Sequence, residues 1–115
     1  MAGGFTVQDV NDPQVLEFVR KAIPIINEQS NAAYHQILIN VLSARSQIVA
    51  GTNYEIELLV GETGCIKNVP SGQVGNCSED PSKVHKRKVY TITVWSKPWE
   101  NFEEIKIKNV KNYTF

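Results

Sequence analysis

The sequence predicts an α+β fold, one long helix packed on a twisted antiparallel β-sheet, in a single domain covering residues 1–115. Two observations carry this. Asp12-Pro13 is a helix start, and after it Val15, Leu16, Val19, Ala22, Ile23 and Ile26 recur at helical spacing. Beyond residue 33 the pattern becomes strand-like, in four apolar-rich runs separated by turn-forming residues. One helix followed by hairpin-linked strands can bury its apolar face only against the sheet those strands make.

The elements follow in order. Residues 1–11 carry glycines and no helical period, so they read as an arm. The helix is expected over Pro13–Gln29, with Asp12 as N-cap and Pro13 preset in the first turn. Pro24 removes a backbone donor and crowds the Arg20 carbonyl, which predicts a kink there; an end near Ala22 is the alternative. Ser30-Asn31-Ala32-Ala33 links helix to sheet. The strand runs are Ile37–Val49, Tyr54–Val60, Val84–Trp95 and Phe102–Val110. Residues 61–83 hold both cysteines and much of the Gly and Pro, which predicts a long loop. Ser96–Asn101 breaks the last two strands apart.

Composition narrows the function classes. At 115 residues, 42% hydrophobic and formally uncharged, the chain can bury one core and gives no reason to expect a nucleic-acid partner. No apolar run approaches the roughly 18 residues of a membrane helix, so no membrane partner is expected. Two cysteines and two distant histidines without a C-x-x-C make neither a metal site nor a cofactor expected. Cys65 and Cys77 bracket turn-rich chain that could bring their sulfurs together. Met1 runs straight into Ala2-Gly3-Gly4 without a leader. That leaves a cytosolic protein or one whose leader was removed, and a bonded cysteine pair favours the second, a secreted protein.

The most informative stretch is Gln47-Ile48-Val49-Ala50-Gly51. It ends one strand run just before the next, with Gly51-Thr52-Asn53 at the break, and so reads as a hairpin tip with an apolar end. An apolar tip held out by two strands costs solubility unless a partner covers it. The alternative is that Ile48 and Val49 finish the strand and pack inside. Pro98-Trp99, between the last two runs, offers a second apolar tip, its alternative being a tryptophan folded back on the core.

Gln47–Gly51 resembles the Q-x-V-x-G signature of the cystatins, protein inhibitors of papain-like cysteine proteases. Gly3-Gly4 and Pro98-Trp99 are similar to the other two elements of the cystatin pattern, in the same order. The resemblance runs from Gly3 through the strand after Pro98-Trp99. It implies a cystatin fold, with a short extra strand before the helix, and a reversible inhibitor of cathepsin-type proteases rather than an enzyme. Its protease-binding residues would be Gly3, Gly4, Gln47, Ile48, Val49, Ala50, Gly51, Pro98 and Trp99. Val49 and Trp99 would be the anchors, Gly51 would turn the backbone and Pro98 would fix the angle of Trp99. Two such tips fill a cleft without offering a peptide bond to the catalytic thiolate. Gly3 would let the arm bend into the cleft, where only Met1 and Ala2 precede it.

The resemblance also sorts the cysteines. Cys65 and Cys77 match the first of the two disulfides of secreted, type 2 cystatins; the second has no counterpart near Tyr90 or the C-terminus. The cytosolic stefins generally lack both bridges and the Pro-Trp pair. The chain therefore looks like a type 2 member with one bridge, similar to tick cystatins in length and motif layout. A monomer is expected, with exchange of hairpins between two copies as the alternative. Ser30-Asn31-Ala32 resembles the loop through which some type 2 cystatins inhibit legumain, an asparaginyl endopeptidase, with Ala32 where Asp or Ser is usual.

Other features have plainer readings. His85-Lys86-Arg87-Lys88 could bind a sulfated glycan or steer an acidic partner, but reads first as a solvated strand edge. His35 reads as structural. Asn76 and Asn112 each head a glycosylation sequon. Two rival functions stand beside inhibition. One is a small cysteine hydrolase using Cys65 or Cys77 with His35 or His85, which needs a free thiol. The other is a non-inhibitory binding module on the same sheet, whose tip motifs need not be intact.

Overall fold

The computed structural model describes residues 4–66 and 80–113. Strand β1 (Thr6–Val7) leads to helix α1 (Pro13–Gln29), then β2 (Tyr34–Val49), β3 (Gly51–Ile66), β4 (Arg87–Lys97) and β5 (Phe102–Asn112). Single 3₁₀ turns sit at Pro81–Lys83 and Pro98–Glu100. The five strands form one antiparallel sheet in chain order, β1-β2-β3-β4-β5, with the helix laid on one face. The α+β architecture expected from the sequence is the one observed.

The helix starts as its sequence dictates: the Asp12 side chain accepts from the Gln14 N–H at 2.8 Å, and Pro13 fills the first turn. It runs unbroken to Gln29 through Pro24. Pro24 and Arg20 are both exposed, so the Arg20 carbonyl that Pro24 cannot serve lies on the wet side of the helix. The buried stripe is Val15, Phe18, Val19, Ala22 and Ile26. Leu16, expected on that stripe, is 42% exposed, and Phe18 takes its place. Phe18 packs on Tyr54 with ring centroids 4.9 Å apart, anchoring the helix to β3.

Against this stripe the sheet presents Val41, Ala44, Ile56, Leu58, Val60, Tyr90, Ile92 and Val94. In β3 and β4 these alternate strictly, as a half-covered sheet requires. In β2 they do not. Leu38 pairs with Val60 and Asn40 with Leu59, then Val41 with Leu58 and Ser43 with Glu57. Ile39 and Leu42 are therefore extra bulge residues, each resetting which side chains face the helix. Those bulges break the period-two alternation at the start of the Ile37–Val49 run.

The strand ends also moved. β2 begins at Tyr34, and β3 continues through Ile66, so residues 61–66 belong to the sheet rather than to the long loop. The extension is held by the Glu62 N–H donating to the Lys86 carbonyl at 2.8 Å and the His85 N–H donating to the Glu62 carbonyl at 2.9 Å. Gly61 fits because a Cβ there would lie 2.6 Å from a Val84 methyl. β4 starts at Arg87, not Val84, and includes Ser96 and Lys97. At the hairpin tip only Ala50 is outside the ladder: Val49 pairs with Gly51, so Gly51, Thr52 and Asn53 are strand.

Candidate functional site

Three segments converge at one end of the sheet. The β2–β3 hairpin turns on Ala50 and Gly51, and Gly51 adopts φ +95°, a conformation that L side chains rarely take. Close approach adds a second requirement: a Cβ on Gly51 would lie 2.7 Å from Lys97 Cγ and closer still to the Ser96 carbonyl oxygen. The first hairpin thus leans directly on the end of β4. The Trp95 indole N–H donates to the Ala50 carbonyl at 2.8 Å and ties the two hairpins together.

The second tip follows at once. β4 ends at Lys97, Pro98–Glu100 makes a 3₁₀ turn, and Asn101 closes it in the left-handed region at φ 53° with its N–H donating to the Pro98 carbonyl. Asn is among the residues that tolerate this conformation. Beneath the turn, Trp95 and Phe102 meet edge to face at 5.4 Å. The Lys97 ammonium sits 4.3 Å from the Trp95 ring and 4.7 Å from the Phe102 ring, with Glu100 at 3.7 Å. On this base Trp99 projects, 67% exposed.

The arm is the third segment. Thr6 pairs with Ser46 and Val7 with Arg45, while the Gln8 amide donates to Ser46 Oγ at 2.7 Å. The Arg45 guanidinium covers the Phe5 ring at 4.0 Å. Because the pairing is antiparallel, the chain preceding Thr6 heads toward the Ile48 end of β2. Gly4, exposed and with nothing within 4 Å of a Cβ built on it, lies on that path. Gly3 is outside the described residues.

Of the residues singled out by sequence, Gly4, Gln47, Ile48, Val49, Ala50, Gly51, Pro98 and Trp99 thus share one end of the sheet. Their exposure differs. Ile48 is 72% exposed, whereas Val49 is half-buried beside Trp95, lining a hollow on the helix-free face with Asn53 and Thr93. The supports were not read from sequence: Trp95, Lys97, Phe102 and Arg45 hold the tips through contacts across strands. Their one local signal was two aromatic residues flanking the Pro-Trp turn.

Asn31 lies at the other end. Ser30 ends the helix, its N–H donating to the Ile26 carbonyl at 2.9 Å and its hydroxyl accepting from the Ala32 N–H at 3.1 Å. Ser30, not Asn31, is the cap. Asn27 fastens this end to β2: its amide oxygen accepts from the Gln36 N–H at 2.7 Å, and its NH₂ donates to the Gln36 carbonyl at 2.9 Å. Asn31 is left exposed, its side chain without a hydrogen-bond partner among the described residues.

Cys65 is 2% exposed, and no cysteine among the described residues is free. It therefore offers no thiolate to the hydrolase reading. Cys77 lies outside the described residues, as does Asn76; Asn112 ends β5, exposed. The His35 carbonyl accepts from the Thr63 hydroxyl at 2.8 Å, a structural contact. No cluster of three metal-ligating side chains occurs among the described residues, and none of their helices is long and apolar enough to cross a membrane.

Comparison with known proteins bears on the fold and the family. Onchocystatin from Onchocerca volvulus is 35% identical over 96% of this chain and 68% of its own length. The crystal structure of Al-CPI superposes with a TM-score of 0.84 at 44% identity, covering 96% of this chain and all of that one. A salivary cystatin from the soft tick Ornithodoros moubata shares the fold at a TM-score of 0.65 and 21% identity, over 97% and 98% of the two chains. The family model described as the cystatin domain matches residues 3–112, and the chain belongs to the cystatin family.

Proposed function

We propose that this protein is a reversible, competitive inhibitor of papain-like cysteine proteases of the cathepsin type. The Gly3-Gly4 arm, the Gln47–Gly51 tip and the Pro98-Trp99 tip form one wedge that fills the active-site cleft. The observation that carries the reading is the joint presentation of Ile48 and Trp99, two large exposed apolar side chains on adjoining tips that are braced from behind. Exposed apolar surface on a rigid base fits a partner's cleft. Rigid tips lose little entropy on docking, so binding is tight without a covalent step. Val49 backs the tip against Trp95, and Pro98 sets the direction of Trp99. Inhibition measured across a panel of papain-like proteases tests the reading: competitive inhibition with no slow turnover of the inhibitor is expected. Intact papain-type activity at micromolar inhibitor would refute it.

We read Cys65 as bonded to Cys77, which closes the chain between β3 and β4 and suits a secreted protein. The buried, non-free state of Cys65 supports this. Unreduced protein should resist alkylation at both cysteines, and labelling of either one would contradict the pairing.

A second reading concerns Asn31, favoured by its exposed amide, which has no hydrogen-bond partner among the described residues. An asparagine offers an acceptor and two donors to a polar specificity pocket, and a pocket built for such bonds discriminates strongly. We propose that the Ser30-Asn31 loop inhibits an asparaginyl endopeptidase of the legumain class. With β2 sixteen residues long, the two sites stand roughly 50 Å apart, so both proteases can be held at once. Asn31→Lys should abolish legumain inhibition and leave papain inhibition intact.

A further inference from the structure

The described basic side chains divide into two populations. Arg20, Lys21, Arg45, Lys97, Lys106 and Lys108 each have a carboxylate within 3.7 Å. Lys83, Lys86, Lys88 and Lys111 have none among the described residues. Of these, Lys86 and Lys88 line the groove of about 530 Å³ whose wall is the Ser30–Tyr34 segment and whose floor includes Glu62, Tyr90 and Val110. Lys86 immediately precedes β4 and Lys88 lies at its start, and the two side chains meet in this one groove. Two ammonium groups thus face the groove against one carboxylate, Glu62, which makes no ion pair either.

We infer that Lys86 and Lys88 form a cationic rim that makes the Asn31 site specific for a protein carrying carboxylates around its asparagine pocket. The inference rests on the reading of Asn31 as a second protease site. Physical necessity links the two. A partner that seats Asn31 covers the groove beside it and takes water from both ammonium groups. An uncompensated buried charge is costly, so a partner without acidic groups there binds poorly. A partner with them gains in two ways: opposite potentials speed encounter, and correctly placed carboxylates fix the register of the docked loop. No such demand exists at the wedge, where the Lys97 charge is already held between two rings and Glu100. Wedge binding should therefore respond little to salt, while Asn31 binding should weaken steeply as salt screens the rim.

The test compares the parent protein, the double variant Lys86→Thr/Lys88→Thr and the single variant Lys111→Gln. Threonine preserves strand propensity at position 88 in β4. Lys111 pairs with Val89, on the opposite face, and controls for loss of a lysine charge away from the groove. Inhibition constants for legumain and for papain are measured at low and high salt. The double variant should lose about tenfold or more in legumain inhibition at low salt, lose most of the salt dependence, and inhibit papain as the parent does. Lys111→Gln should match the parent against both enzymes. Unchanged legumain inhibition by the double variant, or an equal loss in Lys111→Gln, overturns the rim while leaving the Asn31 reading standing. No legumain inhibition by the parent overturns both.

Discussion

The two ends of the sheet are built on opposite plans. At the wedge end, polar and charged groups are consumed internally: Trp95 donates to Ala50, Lys97 lies between two rings, and Arg45 serves both Phe5 and Glu55. On the two tips, Ile48 and Trp99 are the large apolar side chains left to solvent. At the Asn31 end, the Asn27–Gln36 bonds hold the scaffold, yet Asn31, Lys86 and Lys88 have no partner among the described residues. An apolar tip gains affinity from burial alone and accepts many clefts. A polar loop with unpaired charges must be answered group by group, so it is selective and costly to satisfy wrongly.

The largest effect should come from stripping the apolar end. Trp99→Ala is expected to cost about 2 to 4 kcal/mol in affinity for papain-like proteases, the range of an interface hot spot. Its melting temperature should hardly move, because the ring is exposed. A melting temperature that falls with affinity would show the ring to be structural.

Removing the proposed bridge sharpens the comparison from the stability side. Replacing Cys65 and Cys77 by serine should destabilise the fold by roughly 3 kcal/mol on the chain-entropy model, seen as a lower melting temperature. Papain inhibition should persist, since β3 carries Cys65 at the end remote from Gly51. Loss of inhibition in a folded variant would mean that the two ends are mechanically coupled.

Gly51→Val tests whether the tip itself is preorganised. The residue sits at φ +95° with Lys97 and the Ser96 carbonyl against it, so strain of about 1 to 3 kcal/mol is expected. Weaker papain inhibition and unchanged legumain inhibition should follow. Equal loss at both sites would contradict the independence of the two ends.

The smallest effect concerns Glu55, which braces the helix-free face through Arg45 at 3.0 Å and Lys108 at 3.2 Å. Burial alone would raise its carboxyl, but the hydrogen bonds and charges of Lys108 and Arg45 outweigh that and hold it below the ordinary 4.5. A depressed folded pKa contributes stability above the unfolded pKa and loses it as pH falls through the folded one. Acid titration of stability should therefore be shallower in Glu55→Gln below about pH 4.5, with little change in either inhibition. An identical acid profile would remove Glu55 from the account.

Much of this was legible in the chain before any contact was known. The Asp12-Pro13 start, the helical stripe, the alternation of Tyr54, Ile56 and Leu58, and the motifs at Gln47–Gly51 and Pro98-Trp99 are local patterns. Local sterics, capping and side-chain period determine them, and these act over a few residues. Tertiary structure decided the rest. Bulges at Ile39 and Leu42 depend on which strand lies beside β2, and Phe18 displaces Leu16 because Tyr54 waits opposite it. β3 reaches Ile66 because Gln36 and Tyr34 of β2 pair with Glu62 and Ile66 while His85 and Lys86 bond Glu62 from the other side. The same holds for function: the motifs named the tips, but only packing could bring Trp95 to Ala50 and put Lys86 and Lys88 in one groove with Asn31. Register and charge pairing are set by neighbours far off in sequence, and no periodicity within a segment encodes them.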